Sequence, residues 1–149
     1  EIDCGSSSVC AVTAAGVAHC WGRNDMAQLG LGDLTNRLLP ALRTEPAGVV
    51  LQDIALGSAH GCATSTDGRV WCWGFNNMGQ VGNGTTDSVG LPVAVSMPGG
   101  LSALAVDTGA ASTCARLSPG LLACWGGNGQ GQFGFPNVAL PTPVLVPGP

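Results

Sequence analysis

The chain has 149 residues, a formal charge of −4 and only 9% charged residues, against about 25% in an ordinary soluble domain. Its five cations, Arg23, Arg37, Arg43, Arg69 and Arg116, are scattered along the sequence, which argues against a phosphate-neutralising patch and so against nucleic-acid binding. No apolar run reaches the roughly 18 residues of a membrane-spanning helix, so no membrane insertion is expected, and the first residue, Glu1, fits a processed or excised chain.

Self-similarity organises everything else. Trp21-Gly22, Trp73-Gly74 and Trp125-Gly126 are spaced by 52 residues. At the same step Gly5, Gly57 and Gly109 align, as do Gly16, Gly68 and Gly120. Asn24, Asn76 and Asn128 align as well, followed by Gln28, Gln80 and Gln132, then Gly30, Gly82 and Gly134. Such a period marks a repeat architecture, with repeats at about 1–52, 53–104 and 105–149.

In chain order, the first copy opens with strands between Ile2 and Trp21. The second copy is the clearest. Ile54–Gly57 is a short apolar run ended by Gly; His60–Ser65 and Arg69–Trp73 flank the turn signature Thr66-Asp67-Gly68; Val93–Val95 follows Pro92 as a fourth strand. In the third copy Pro119 precedes Gly120, so this turn is expected to differ in type. A one-residue deletion near residues 135–141 then moves the counterpart of Pro40 and Pro92 to Pro143. Four short strands per ~50 residues predict an all-β chain of propeller blades with almost no helix. Pro149 aligns with Pro98. The closing Val144–Val146 strand is expected to pair with a following copy of the opening strands, and those strands to lack a preceding partner, so the ends read as complementary.

Six of the seven cysteines obey one spacing, nine residues between partners in every copy. In a three-residue turn with Gly in the left-handed position, residues whose numbers sum to 134 face each other across the second hairpin. Cys62 and Cys72 satisfy this. The expected disulfides are therefore Cys10–Cys20, Cys62–Cys72 and Cys114–Cys124, and three of them imply an oxidising compartment. Zinc sites use closer cysteine pairs. Cys4 stands outside the rule as either a buried free thiol or a cysteine bridged to another molecule or to a missing part of the chain.

The strings Gly57–Ala63, Asp67–Gly74 and Trp73-Gly74-x-Asn76-x3-Gln80-x-Gly82 together resemble the repeat of the RCC1 (regulator of chromosome condensation) family, and the resemblance covers essentially the whole chain. It implies a β-propeller of four-stranded blades, commonly seven, and roles in protein binding or inhibition. The paired cysteines look like those of secreted bacterial members. Ser8 and Ser112 replace His60, Ala27 replaces Gly79, and Pro136 replaces Gly84. The family's nucleotide-exchange activity on a small GTPase is not carried over to an acidic, disulfide-bonded chain.

Chemistry is sparse. Gly129-x-Gly131-x-x-Gly134 matches a dinucleotide pattern but lacks the helix and the downstream acid. His19 and His60 lie beside cysteines that have better partners, the acids are spread singly, and neither metal nor cofactor is expected. The Asn and Gln columns are expected to satisfy loop backbone. Trp21, Trp73 and Trp125 are expected to pack between blades, and Trp71 is a candidate for surface recognition. Asn83-Gly84-Thr85 is a glycosylation sequon. The expectation is a secreted, non-enzymatic module that binds a protein partner or assembles with itself as a ring or filament. An inhibitor or adhesion domain using one propeller face, with residues 133–136 as its anomalous loop, is the alternative. A fragment of a longer propeller with an enzymatic partner domain is the third.

Overall fold

A computed structural model describes residues 1–136 and 138–147; Pro149, aligned above with Pro98, lies outside the described residues. Twelve strands form three four-stranded antiparallel sheets, each built from consecutive strands. Blade 1 holds β1 (Ile2–Cys4), β2 (Ser8–Val12), β3 (Ala18–Gly22) and β4 (Arg37–Leu42). Blade 2 holds β5 (Leu51–Leu56), β6 (His60–Ser65), β7 (Val70–Gly74) and β8 (Val89–Val95). Blade 3 holds β9 (Ala103–Thr108), β10 (Ser112–Leu117), β11 (Leu121–Gly126) and β12 (Leu140–Leu145). The helical content of the described residues is one 3-10 turn, Pro98–Gly100.

The central hairpin of blade 2 has the expected register: Cys62 faces Cys72 and Ala63 faces Trp71. Its turn closes with the Gly68 amide donating to the Ser65 carbonyl at 2.8 Å, and Gly68 sits at φ +81°, where an L-residue with a Cβ is disfavoured. In blade 3 the Ser118–Pro119 peptide is cis, and the turn closes with the Gly120 amide donating to the Leu117 carbonyl at 2.8 Å. In all three blades the pairing of the third and fourth strands shifts register across the Trp. The following Gly makes this possible. Gly74 has φ +98°, and a Cβ there would lie 2.6 Å from the Ala59 carbonyl oxygen.

The strands β1, β5 and β9 lie innermost and meet across the junctions, while β4, β8 and β12 form the outer edges. Two apolar cores fill the space between blades. One joins Cys10, Ala18, Cys20 and Leu29 of blade 1 to Ile54, Leu56, Ala63 and Trp73 of blade 2. The other joins Val70, Cys72 and Val81 of blade 2 to Val106, Ala115 and Trp125 of blade 3. The hydrophobic effect therefore acts mainly between sheets, because a lone blade has nothing to cover its faces.

Two expectations are corrected here. Val144 pairs with Cys124 inside the third sheet, and β1 pairs with β2 inside the first. Every blade is thus complete in consecutive strands, and no strand is shared between the chain's ends. The local hairpins and the return to a fourth strand in sequence close each sheet before a distant strand is needed. Trp71 is buried, its indole N–H donating to Ser65 Oγ at 3.2 Å with the Arg69 guanidinium over its ring. It belongs to the core rather than to a recognition surface.

Candidate interaction faces

Each blade junction repeats the same contacts. The Trp73 indole N–H donates to the Gln28 carbonyl of blade 1 at 2.8 Å, and Trp125 donates to the Gln80 carbonyl of blade 2 at 3.0 Å. Farther out, the Gly32 amide donates to the Gly90 carbonyl at 2.9 Å and the Gly84 amide to the Pro141 carbonyl at 2.8 Å. The inner strands also carry one aspartate-to-amide bond per junction, at different repeat positions: Asp3 Oδ2 accepts the Leu56 amide at 2.6 Å and Asp53 Oδ2 accepts the Val106 amide at 3.2 Å.

The Asn and Gln columns hold the loops that make these contacts. Asn24, Asn76 and Asn128 are fully buried. Asn76 Oδ1 accepts the Val81 amide at 2.8 Å, while its Nδ2 donates to the carbonyls of Thr85 and Asp87. Asn24 and Asn128 accept the Leu29 and Phe133 amides in the same way. Gln28, Gln80 and Gln132 each accept the amide two residues before them. All but the exposed Gln132 are buried scaffolding that holds loop backbone.

The faces of the end blades lack the cover that internal blades receive. Ile2 on β1 is 60% exposed, whereas its counterparts Ile54 and Val106 are 3% and 6% exposed. Trp21 is half-buried, and among the described residues its indole N–H has no acceptor. On the far face of blade 3, Leu122 is 49% exposed where Ala18 and Val70 are 0%. Blade 1 thus presents an open leading face and blade 3 an open trailing face. On the outer edge of blade 1, Leu38 and Leu39 also stand largely in solvent.

A second surface lies on the loop side. A depression of about 260 Å³ at the first junction is lined by Met26, Ala27, Leu34, Phe75 and Ser88. Its counterpart of about 360 Å³ at the second is lined by Met78, Ala111, Gly127, Gln132 and Ala139. The first lies below and the second at the lower end of the usual volume range of ligand pockets, and both suit single apolar side chains of a protein.

The three cysteine pairs are disulfide-bonded, each with Cα atoms 4.1 Å apart. Cys4 is exposed on the leading face, not a buried thiol. Asn83 is exposed, and its Oδ1 accepts the Thr85 amide and hydroxyl at 3.1 and 2.9 Å. His60 is buried, with Nε2 3.0 Å from the Thr113 hydroxyl, which itself donates to the Gln80 carbonyl. Burial pushes the His60 imidazole down to about 4, so it is uncharged at neutral pH. Among the described residues no cluster of three His, Cys, Asp or Glu is placed to hold a metal. The strands leave no room for a helix after Gly129–Gly134, so the glycine pattern there forms a turn only.

One buried pair escaped the sequence reading. Arg43 is 1% exposed, its Nε donates to Glu45 Oε1 at 2.6 Å, and its guanidinium stacks 3.8 Å from the Trp73 ring centroid. The signal was present, because Arg43 stands in a column otherwise filled by Val95 and Val146. A cation in an apolar column points to a buried partner.

Together these features define an array of three four-stranded propeller blades. Residues 15–64 and 67–116 match the Regulator of chromosome condensation (RCC1) repeat, and the chain belongs to that family. It is 34% identical over 134 residues to the Ultraviolet-B receptor UVR8 of Arabidopsis thaliana, covering 90% of this chain and 30% of that protein. It is 30% identical over 136 residues to the E3 ubiquitin-protein ligase HERC2 of Homo sapiens, covering 90% of this chain and 3% of that one. Human WBSCR16 superposes with a TM-score of 0.88 at 24% identity, over 99% of this chain and 37% of that structure. Prp20p of Saccharomyces cerevisiae gives 0.87 at 22%, over 99% and 38%. The chain thus spans less than two fifths of each of these relatives, and the two structures establish the fold, an RCC1-type β-propeller segment.

Proposed function

We propose that the chain is a non-catalytic, extracellular binding module that works by protein–protein contact through its loop face. The observation that carries this reading is the depression repeated at both blade junctions, lined by Met26 and Phe75 at the first and by Met78 and Ala139 at the second. Met26 and Met78 stand exposed beside it, and exposed apolar patches mark interaction sites. Propellers of this fold engage proteins: Prp20p is described as binding Gsp1p and histones, and as being bound by Kap60. Those partners are not transferred here. Three disulfides support an oxidising, secreted setting. The buried, neutral His60 and the separated acids support a role without catalysis.

The test places a benzophenone at Met78→Cys in a Cys4→Ser background. Illuminated in the extracellular fraction of the source, it is expected to give a protein adduct that disappears when Ala139→Arg, on the same depression, is added. No adduct, or an adduct indifferent to Ala139→Arg, overturns the reading. The repetition of the depression at two junctions favours an inhibitor or adhesion role as the form this contact takes.

A further inference from the structure

We infer that Asn83 is a site of covalent self-modification: the Gly84 backbone nitrogen displaces its side-chain amide as ammonia, and water then opens the resulting ring to aspartate or isoaspartate. The chain holds two Asn-Gly pairs, Asn83-Gly84 and Asn128-Gly129. Glycine puts no side chain beside the attacking nitrogen, so by sequence the two pairs are equivalent. The fold separates them.

Asn128 is fully buried. Its Oδ1 accepts the Phe133 amide at 3.0 Å, and its Nδ2 donates to the Phe135 and Pro136 carbonyls at 3.2 and 3.1 Å. Turning that carboxamide onto the Gly129 nitrogen gives up these bonds inside the loop. Asn83 and Gly84 are both exposed. Asn83 Oδ1 accepts the Thr85 amide at 3.1 Å and the Thr85 hydroxyl at 2.9 Å, which folds the carboxamide across the Asn83–Gly84 peptide. Asn76 Nδ2 is a third donor to the same oxygen, at 3.3 Å. Among the described residues Asn83 Nδ2 has no acceptor, so the leaving nitrogen faces water.

The Gly84 nitrogen gives its proton to hydroxide and bonds to Asn83 Cγ, and negative charge collects on Oδ1. Collapse breaks the Cγ–Nδ2 bond, and Nδ2 takes a proton from water and leaves as ammonia, which regenerates the hydroxide. Water then adds to either carbonyl of the five-membered imide, giving aspartate or isoaspartate without oxidant or reductant. The charge develops where donors already point. A hydrogen bond to a charged oxygen is stronger than one to a neutral carbonyl, so these donors favour the transition state over the resting amide.

One contact opposes the reaction. The Gly84 amide donates to the Pro141 carbonyl at 2.8 Å and must let go before attack. The imide nitrogen carries no hydrogen, and the isoaspartyl product lengthens the backbone by a methylene. Modification therefore unfastens the outer clasp of the junction that holds the Met78 depression, and adds a negative charge there. At the first junction the matching Gly32 follows Leu31, and the third copy has Phe135 before Pro136, so blade 2 alone carries the reactive side chain at this position.

The intact, disulfide-bonded chain is held in mildly alkaline buffer made with heavy-oxygen water and sampled by peptide mapping, with isoaspartate methyltransferase as the probe for isoaspartate. Asn83 is expected to convert to both products with solvent oxygen incorporated. Asn128 is expected to react at least about tenfold more slowly, the factor set by one lost buried hydrogen bond. In urea with the disulfides reduced, both are expected to convert at similar rates. Asn83→Gln, whose ring would be six-membered, is expected to stay unmodified. Thr85→Val removes the hydroxyl donor and is expected to slow Asn83 about three- to tenfold in the folded chain while leaving its rate in urea unchanged. The inference is overturned if Asn83 survives in the folded chain over the time in which it converts in urea, if Asn83 and Asn128 react equally in the fold, or if Thr85→Val changes nothing. A sugar on Asn83 Nδ2 in material from the source, which would block the leaving group, overturns it too.

Discussion

Changing His60 to Ser, the residue its column carries at Ser8 and Ser112, should remove a defined part of the acid sensitivity of the fold. His60 is buried and titrates at about 4 in the folded chain because burial disfavours its charged form; unfolded, it titrates near 6.5. As pH falls through about 6.5 the unfolded chain binds a proton that the folded chain refuses. The His60 contribution is therefore full above that pH and is lost progressively as pH falls towards about 4. The gap corresponds to about 3 kcal/mol, of which about 2–3 kcal/mol should already be gone at about pH 4.5. Urea unfolding of the parent and of His60→Ser, each at neutral pH and at about pH 4.5, isolates this term. Carboxylates common to both chains cancel in the difference, and any cavity left by Ser acts equally at both pH values. Equal losses in the two chains would refute the argument that an uncharged imidazole is locked at the second junction.

Three further outcomes follow from the geometry. The double change Cys62→Ala, Cys72→Ala should cost about 2–3 kcal/mol, read as a lower urea midpoint, since the bridge closes a short loop in the unfolded chain. Asn76→Ala strips the buried Val81 amide of its acceptor and should cost about 2–3 kcal/mol, with hydrogen exchange at Val81 accelerated beyond that of neighbouring strand amides. Trp73→Phe removes a fully buried indole and its bond to Gln28 and should cost about 2–4 kcal/mol. Trp21→Phe, at an open face, should cost under about 1 kcal/mol in the isolated monomer; a like cost for both would contradict the assignment of open and covered faces.

Repetition made most of the architecture legible. The turn at Gly68 and the cysteine spacing set the hairpin register, because a left-handed glycine fixes which residues face each other. The Asn column was readable as scaffolding because three identical loops need the same backbone acceptors. What occurs once was harder to read. Trp71 has no Trp counterpart and looked free for recognition, yet it is buried with Ser65 as its partner. Arg43 and Glu45 have no repeated analogue, and only the three-dimensional junction shows the guanidinium over Trp73. The strand at Val144–Val146 was assigned to a neighbour because its role depends on sheet closure, a non-local event that composition does not encode. The open leading and trailing faces were legible only as a general expectation of exposed flanks; which residues form them emerged from comparing the same column in three environments.

The indole-to-carbonyl contact carries a direction in time as well as in space. Trp73 finds its acceptor at Gln28, and Trp125 at Gln80, always in the segment that left the ribosome earlier. For this contact each newly emerged indole settles on a carbonyl already in place, whereas the Gly32 and Gly84 amides wait for the later carbonyls of Gly90 and Pro141. Reversing the order of the modules would leave every new indole looking for something not yet made.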